Sequence, residues 1–91
     1  MTDTPHPLIV MYTQALCGYC AAARNLLDKK KAPYDEIDVT LNATLRREMA
    51  DRSGRNTVPQ IFIDDKYIGG YNDLSELDRN GKLDALLRQS E

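Results

Sequence analysis

Apolar and polar residues recur along this chain with two different periods, which divide its first third into a strand and a helix. Residues 8–12 are apolar throughout, a pattern typical of a strand that is buried on both faces of a sheet. In residues 18–31, Cys20, Ala23 and Leu27 recur at positions that share one helical face. The chain is therefore predicted to begin with a buried strand followed by an amphipathic helix.

A second strand and a second helix are predicted in the middle of the chain. Residues 34–39 follow a proline and alternate enough between apolar and polar side chains to predict a strand. A helix at about residues 42–53 is predicted because Leu41, Leu45 and Met49 recur every four positions.

The last third of the chain predicts a hairpin and further helical segments. Residues 60–63 and 67–69 read as two strands that are joined by a tight turn. Asp73 followed by Glu76 is a capping-box pattern, which predicts the start of a third helix. Gly81 interrupts this helix before a last segment that is rich in leucine.

The order of these elements, β-α-β-α-β-β-α, predicts an α/β fold. Its βαβ unit requires parallel strands and its hairpin adds an antiparallel pair, so we expect a mixed four-stranded sheet with helices on both faces. A chain of 91 residues has room for one hydrophobic core. We expect a single domain over residues 8–91, preceded by a disordered lead-in at residues 1–7.

Charge and hydropathy exclude several classes of partner. The formal net charge is −2, and lysines and arginines are scattered among acidic residues, so no nucleic-acid footprint is present. The apolar run at residues 8–12 is too short to cross a bilayer, and the N-terminus lacks the basic and apolar regions of a signal peptide. We therefore expect a cytoplasmic protein that has no nucleic-acid or membrane partner.

Cys17 and Cys20, the only two cysteines, form a CxxC motif at the junction between the first strand and the first helix. The first turn of a helix brings residues three apart within disulfide range. Its unpaired N–H groups and the positive end of the helix dipole favour the thiolate of Cys17, and the thiolate is the reactive form of cysteine. The motif therefore indicates thiol–disulfide chemistry.

Two other roles for the cysteine pair are weaker. A structural disulfide between Cys17 and Cys20 would close a very short loop and would stabilise the fold by only about 2 kcal/mol. A zinc site needs four ligands, and the sole histidine, His6, lies in the predicted lead-in. We therefore predict no metal site formed by this chain alone.

Three further segments, taken together with the CxYC motif, resemble the glutaredoxin family. These are Tyr12-Thr13 before the cysteines, Thr57-Val58-Pro59 before the third strand, and the GGYND sequence at residues 69–73. Over residues 8–88 the chain is similar to small bacterial dithiol glutaredoxins. The resemblance implies a thioredoxin-like fold and glutathione-dependent reduction of mixed and protein disulfides.

The resemblance also implies roles for individual residues. Cys17 would be the nucleophile and Cys20 the resolving thiol. The implied glutathione-binding residues are Tyr19, Thr57, Val58, Pro59, Gly70, Tyr71, Asn72, Asp73, Gln14 and Arg46.

Within this set, the family's Val–Pro bond is cis, which would let the backbone of Val58 pair with the glutathione peptide. The amides at Asn72 and Asp73 would hold the γ-glutamyl carboxylate. The Asp73 side chain would meet the γ-glutamyl ammonium group. Alternative roles stay open: Tyr19 as a packing residue, Pro59 as a strand-entry proline, Asp73 as a helix cap, and the glycines of GGYND as a turn.

Two positions depart from the family pattern. Many relatives carry a lysine where this chain has Gln14, so we expect Arg46, alone or with Gln14, to bind the glycine carboxylate of glutathione; an exposed arginine without a ligand is the alternative. Gly18 stands where dithiol members commonly have proline. Some relatives with a small residue there hold a glutathione-ligated [2Fe-2S] cluster between two subunits, so a cluster carrier or sensor is the alternative function.

The implied partners are glutathione and proteins that carry glutathione or a disulfide, ribonucleotide reductase among them. We expect a monomer unless a cluster bridges two chains. A thioredoxin-type protein, reduced by a flavoprotein instead of glutathione, is a third interpretation, which the GGYND and TVP segments disfavour.

Overall fold

A computed structural model describes residues 7–88 of the chain. It contains four strands and four helices, whose bounds are β1 (Ile9–Thr13), α1 (Gly18–Lys29), β2 (Asp35–Asp38), α2 (Ala43–Ser53), β3 (Gln60–Ile63), β4 (Lys66–Gly69), α3 (Tyr71–Arg79) and α4 (Lys82–Arg88). The predicted order is confirmed, and the last helical segment beyond Gly81 is α4. The predicted lead-in lies, apart from Pro7, outside the described residues.

The four strands form one mixed sheet in the order β2-β1-β3-β4. β1 pairs with β2 in parallel and with β3 antiparallel, and β3 pairs with β4 antiparallel. The central position of β1 explains why its sequence is apolar, since it has a neighbour on each edge and helices over each face. The predicted α/β fold class is thus confirmed.

Alternate residues of the central strands point to two separate clusters of buried side chains. The larger cluster includes Ile9 and Met11 of β1 together with side chains from α1, α3 and α4, so these three helices cover one face of the sheet. The smaller cluster includes Tyr12, Phe62 and Met49, so α2 covers the other face. The period of two along a strand produces this division.

The bounds of α2 agree with the predicted 42–53 to within one residue, but Leu41 and Asp73 have other roles at the helix starts than those predicted. Leu41 does not extend the apolar face of α2: it is fully exposed, and the side chain of Asn42 caps the helix by accepting the Leu45 N–H at 3.0 Å. The spacing of four was therefore misleading at its first position. In α3, Asp73 is the third helical residue and not its cap, because the helix begins after Gly70.

None of the helices described between residues 7 and 88 is both long and apolar enough to cross a lipid bilayer.

Candidate active site

Cys17 is the N-cap of α1. Its extended backbone, with φ −112° and ψ 112°, ends the loop that follows β1, and its carbonyl accepts the Ala21 N–H at 3.1 Å. The partly exposed Sγ accepts the N–H of Cys20 at 3.1 Å. A hydrogen bond from a backbone N–H at the positive end of a helix stabilises negative charge on this sulfur.

Cys20 lies one helical turn further on and is fully buried, as its place beside Ala23 and Leu27 predicts. The pKa of the Cys20 thiol is raised from its ordinary value of 9.0 to about 12. Burial is the largest cause, and a hydrogen bond with Cys17 is the second. The two sulfurs of one motif therefore have opposite environments: Cys17 is partly exposed and accepts a backbone N–H at a helix N-terminus, and Cys20 is buried with a raised pKa.

The loop before β3 approaches the sulfur of Cys17. The Val58–Pro59 peptide bond is cis, as the family resemblance implied, and the Val58 carbonyl oxygen lies 4.0 Å from Cys17 Sγ. The buried side chain of Gln60 holds this loop, because its Nε2 donates to the carbonyl and to the hydroxyl of Thr57 at 2.9 and 3.0 Å. Gln60 Oε1 in turn accepts the hydroxyl proton of Tyr67 at 2.5 Å.

The start of α3 is the third part of the candidate site. The Asp73 carboxylate accepts the backbone N–H of Gly70 at 3.0 Å, which ties the first turn of the helix to the residue before it. Gly69 has φ +125°, and a side chain there would collide with that carboxylate. Glycine is therefore required at this position for both conformation and space.

An open groove of about 340 Å³ runs between the Thr57–Pro59 loop and the start of α3. Such a volume lies in the range of small-molecule sites, about 300–1,000 Å³. Eight of the ten predicted glutathione-binding residues line it, together with Arg55 and Gln60; the eight are Tyr19, Thr57, Val58, Pro59, Gly70, Tyr71, Asn72 and Asp73.

The other two predicted residues, Gln14 and Arg46, lie together in a separate depression beside the start of α2. The guanidinium of Arg46 donates to the side chain of Gln14 and, at 2.9 and 3.1 Å, to the carbonyl and side chain of Asn56. Arg46 therefore connects the cysteine loop, through Gln14, with the loop before β3, through Asn56. It does not line the groove.

Comparison with known proteins agrees with this arrangement. A sequence model described as glutaredoxin matches residues 9–68. The chain belongs to the glutaredoxin family. It is 49% identical over 80 residues to glutaredoxin 3 of Escherichia coli K12, an alignment that covers 88% of this chain and 96% of that protein.

Solved glutaredoxins have the same fold. The solution structure of glutaredoxin from Brucella melitensis superposes with a TM-score of 0.84 at 44% identity, covering 99% of this chain and 98% of that one. A buckwheat glutaredoxin–glutathione complex superposes with a TM-score of 0.82 at 30% identity, covering 92% of this chain and 79% of that one.

Two residues of this glutaredoxin's groove were missed from the sequence. The sequence predicts no role for Arg55, yet Arg55 lines the groove, and among residues 7–88 no salt bridge includes it. Its place two residues before Thr57 was the available signal. The sequence predicts only that Gln60 begins a strand, and nothing in its spacing indicates that its amide turns towards the loop.

Proposed function

We propose that this glutaredoxin is a glutathione-dependent thiol–disulfide oxidoreductase, which reduces mixed disulfides between proteins and glutathione as well as protein disulfides. The observation that carries the proposal is the contrast between its two sulfurs. Cys17 is accessible at a helix N-terminus and accepts a backbone N–H, whereas Cys20 is fully buried with a raised pKa. The accessible sulfur is suited to attack a disulfide, and the buried one stays protonated until a disulfide forms beside it.

With a glutathionylated protein, the thiolate of Cys17 attacks the glutathione sulfur. The bond between that sulfur and the protein sulfur breaks, and the protein leaves as a thiolate that takes a proton from water. The thiolate of a second glutathione then attacks the glutathione sulfur bound to Cys17. This step releases oxidised glutathione and regenerates Cys17 as a thiolate.

With a protein disulfide, Cys17 attacks one sulfur and the other leaves as a thiolate. The thiol of Cys20 then loses its proton, and its sulfur attacks Cys17, which expels the second protein thiolate. The resulting Cys17–Cys20 disulfide is reduced by two glutathione molecules, which leave as oxidised glutathione. Because burial raises the pKa of Cys20, its thiol is protonated in the reduced protein, and it must give that proton to water or to the departing thiolate for the attack to occur.

Glutathione fits the groove by its charges and its peptide bonds. Val58 lines the groove, where its backbone can pair with the tripeptide as a short added strand. Free N–H groups at the start of α3 suit the γ-glutamyl carboxylate, and the carboxylate of Asp73 suits its ammonium group. A relative solved in complex with glutathione supports this choice of ligand.

For the glycine carboxylate of glutathione, Arg55 is a better candidate than Arg46. Arg55 lines the groove, while the guanidinium of Arg46 is bound to Gln14 and Asn56. A bidentate pair between an arginine and a carboxylate is among the stronger ionic contacts. We expect Arg55→Met to raise the KM for glutathione about five- to tenfold, whereas Arg47→Met, an exposed arginine of α2, leaves it unchanged.

The alternative of a [2Fe-2S] carrier needs more than one chain. Of the two cysteines only Cys17 is partly exposed, so a cluster would need a second chain and two glutathione thiols as further ligands. A side chain at Gly18 would meet nothing within 4 Å, so crowding does not require glycine there. Visible absorption of anaerobically purified protein tests this alternative.

The deciding experiment is glutathione-dependent reduction of a small mixed disulfide by the wild type, Cys17→Ser and Cys20→Ser. We expect no activity from Cys17→Ser and substantial activity from Cys20→Ser, since the route through glutathionylated Cys17 needs no second cysteine. Wild-type protein that is inactive with glutathione, yet active with a flavoprotein reductase, would contradict the proposal in favour of a thioredoxin-type reductase.

A further inference from the structure

Leu16 and Leu41 are large apolar residues that bury nothing. Both side chains are fully exposed, with relative exposures of 105% and 102%. Both also have left-handed backbones, with φ of 57° and 53°. A fully exposed leucine gains no burial energy, so neither side chain stabilises the fold by packing.

The backbone makes these leucines costly. The left-handed region costs a residue with a side chain roughly 1–2 kcal/mol, and glycine or asparagine occupies it at less cost. The other non-glycine residues with positive φ in the described part of the chain are charged, namely Lys31, Asp64 and Asp65. Scattered exposed leucines need no explanation, but two in strained loops point to a role outside the folded chain.

The two leucines lie on loops that are tied together beside the nucleophile. Leu16 directly precedes Cys17. The loop of Leu41 is joined to the cysteine loop because the N–H of Ala15 donates to Thr40 Oγ1 at 2.7 Å. Neither leucine lines the groove between the Thr57–Pro59 loop and α3.

When Cys17 attacks a glutathionylated protein, the bond that breaks joins the glutathione sulfur to the protein sulfur. If the glutathione half lies in the groove, the protein half lies over residues outside the groove. Leu16 precedes Cys17 in the chain, and the loop of Leu41 is hydrogen-bonded to the cysteine loop, so both leucines lie outside the groove on the loops that are joined at Ala15 and Thr40; we call them the leucine pair. Exposed apolar side chains next to a reaction centre are typical of a protein-binding surface.

We propose that Leu16 and Leu41 bind the protein half of the mixed disulfide, by contact with apolar side chains that neighbour the modified cysteine. The proposal rests on the proposed function and adds to it the surface that distinguishes a protein substrate from a small one. A small disulfide would be reduced without touching the leucine pair.

The test is Leu16→Asn together with Leu41→Asn, because asparagine removes the apolar surface and tolerates the left-handed backbone. The substrates are glutathionylated serum albumin and the mixed disulfide of glutathione with cysteine. We expect kcat/KM for the albumin substrate to fall about five- to tenfold, and kcat/KM for the small disulfide to stay within about twofold. The melting temperature should stay constant or rise, as the strain is relieved.

Leu8→Asn is the matched control. Leu8 is also an exposed leucine, but it precedes β1 at the end away from Cys17, where its N–H donates to Asp64. This variant should change kcat/KM for neither substrate.

Three results separate the possible failures. Equal kcat/KM of double variant and wild type towards albumin would overturn the role of the leucine pair, as would an equal fall with both substrates. A dimer that sedimentation detects in the wild type and not in the double variant, with unchanged kinetics, would assign the pair to self-association. Wild-type inactivity towards the small disulfide would overturn the proposed function itself.

Discussion

The two cysteines should differ sharply in their reaction with iodoacetamide in the folded protein. Only a thiolate reacts, and the pKa of Cys20 is raised to about 12 by burial and by its hydrogen bond with Cys17. At pH 8, a thiol with a pKa of 9.0 is about one-tenth thiolate, whereas one with a pKa of 12 is about one ten-thousandth thiolate. The lower thiolate fraction of Cys20 therefore slows its alkylation about 1,000-fold, and its burial slows the reaction further.

The assay is mass spectrometry of reduced protein after timed alkylation, with tryptic peptides separating the two sites. We expect one adduct on Cys17 at pH 8 and none on Cys20. The rate at Cys20 should rise about tenfold per unit of pH, because the raised pKa keeps the thiol protonated up to about pH 12. In Cys17→Ser no fast site should remain, and in 6 M guanidinium both cysteines should react alike.

Comparable alkylation of both cysteines in the folded wild type at pH 8 would refute this reasoning. It would mean that α1 opens at its first turn often enough to expose Cys20, so that burial could not assign the two sulfurs different roles.

Two further substitutions test the walls of the groove. Gln60→Leu removes hydrogen bonds to Thr57 and to a tyrosine hydroxyl, but those partners are exposed and can bind water, so we expect a loss of only about 1–2 kcal/mol in urea unfolding together with a higher KM for glutathione. Gly69→Ala should cost about 2–3 kcal/mol, because φ is +125° and the new methyl group meets the Asp73 carboxylate. Gly81→Ala, where φ is +75° and no atom lies within 4 Å, should cost less in the same measurement.

The elements that were predicted well are those whose sequence pattern is produced by burial. The apolar run of β1 follows from its central place in the sheet, and the spacing of Cys20, Ala23 and Leu27 follows from the buried face of α1. In both cases the local pattern and the tertiary packing impose the same requirement, so the element and its buried residues can be predicted from the sequence.

The errors arose where a local pattern was not backed by packing. Leu41 has the helical spacing of Leu45 and Met49, but it precedes the cap and is exposed. Asp73 has the composition of a helix cap, yet the preceding glycines let the chain turn into α3 earlier, and its carboxylate reaches back to Gly70. The N-cap position and the third position of a helix both favour acidic side chains, so composition alone cannot show which of the two positions an aspartate occupies.

The arginine that lines the groove could not be identified from the sequence, because its identity depends on contacts between residues that are distant in the chain. The family resemblance predicts that Arg46, alone or with Gln14, binds the glycine carboxylate of glutathione. In the structure these two side chains satisfy each other, and Asn56 completes the hydrogen bonding of the arginine. An arginine that is held by three protein acceptors has less to gain from a ligand carboxylate than one without an ion partner. Gln14 therefore gives Arg46 a partner within the protein, and Arg55 is the arginine that lines the groove.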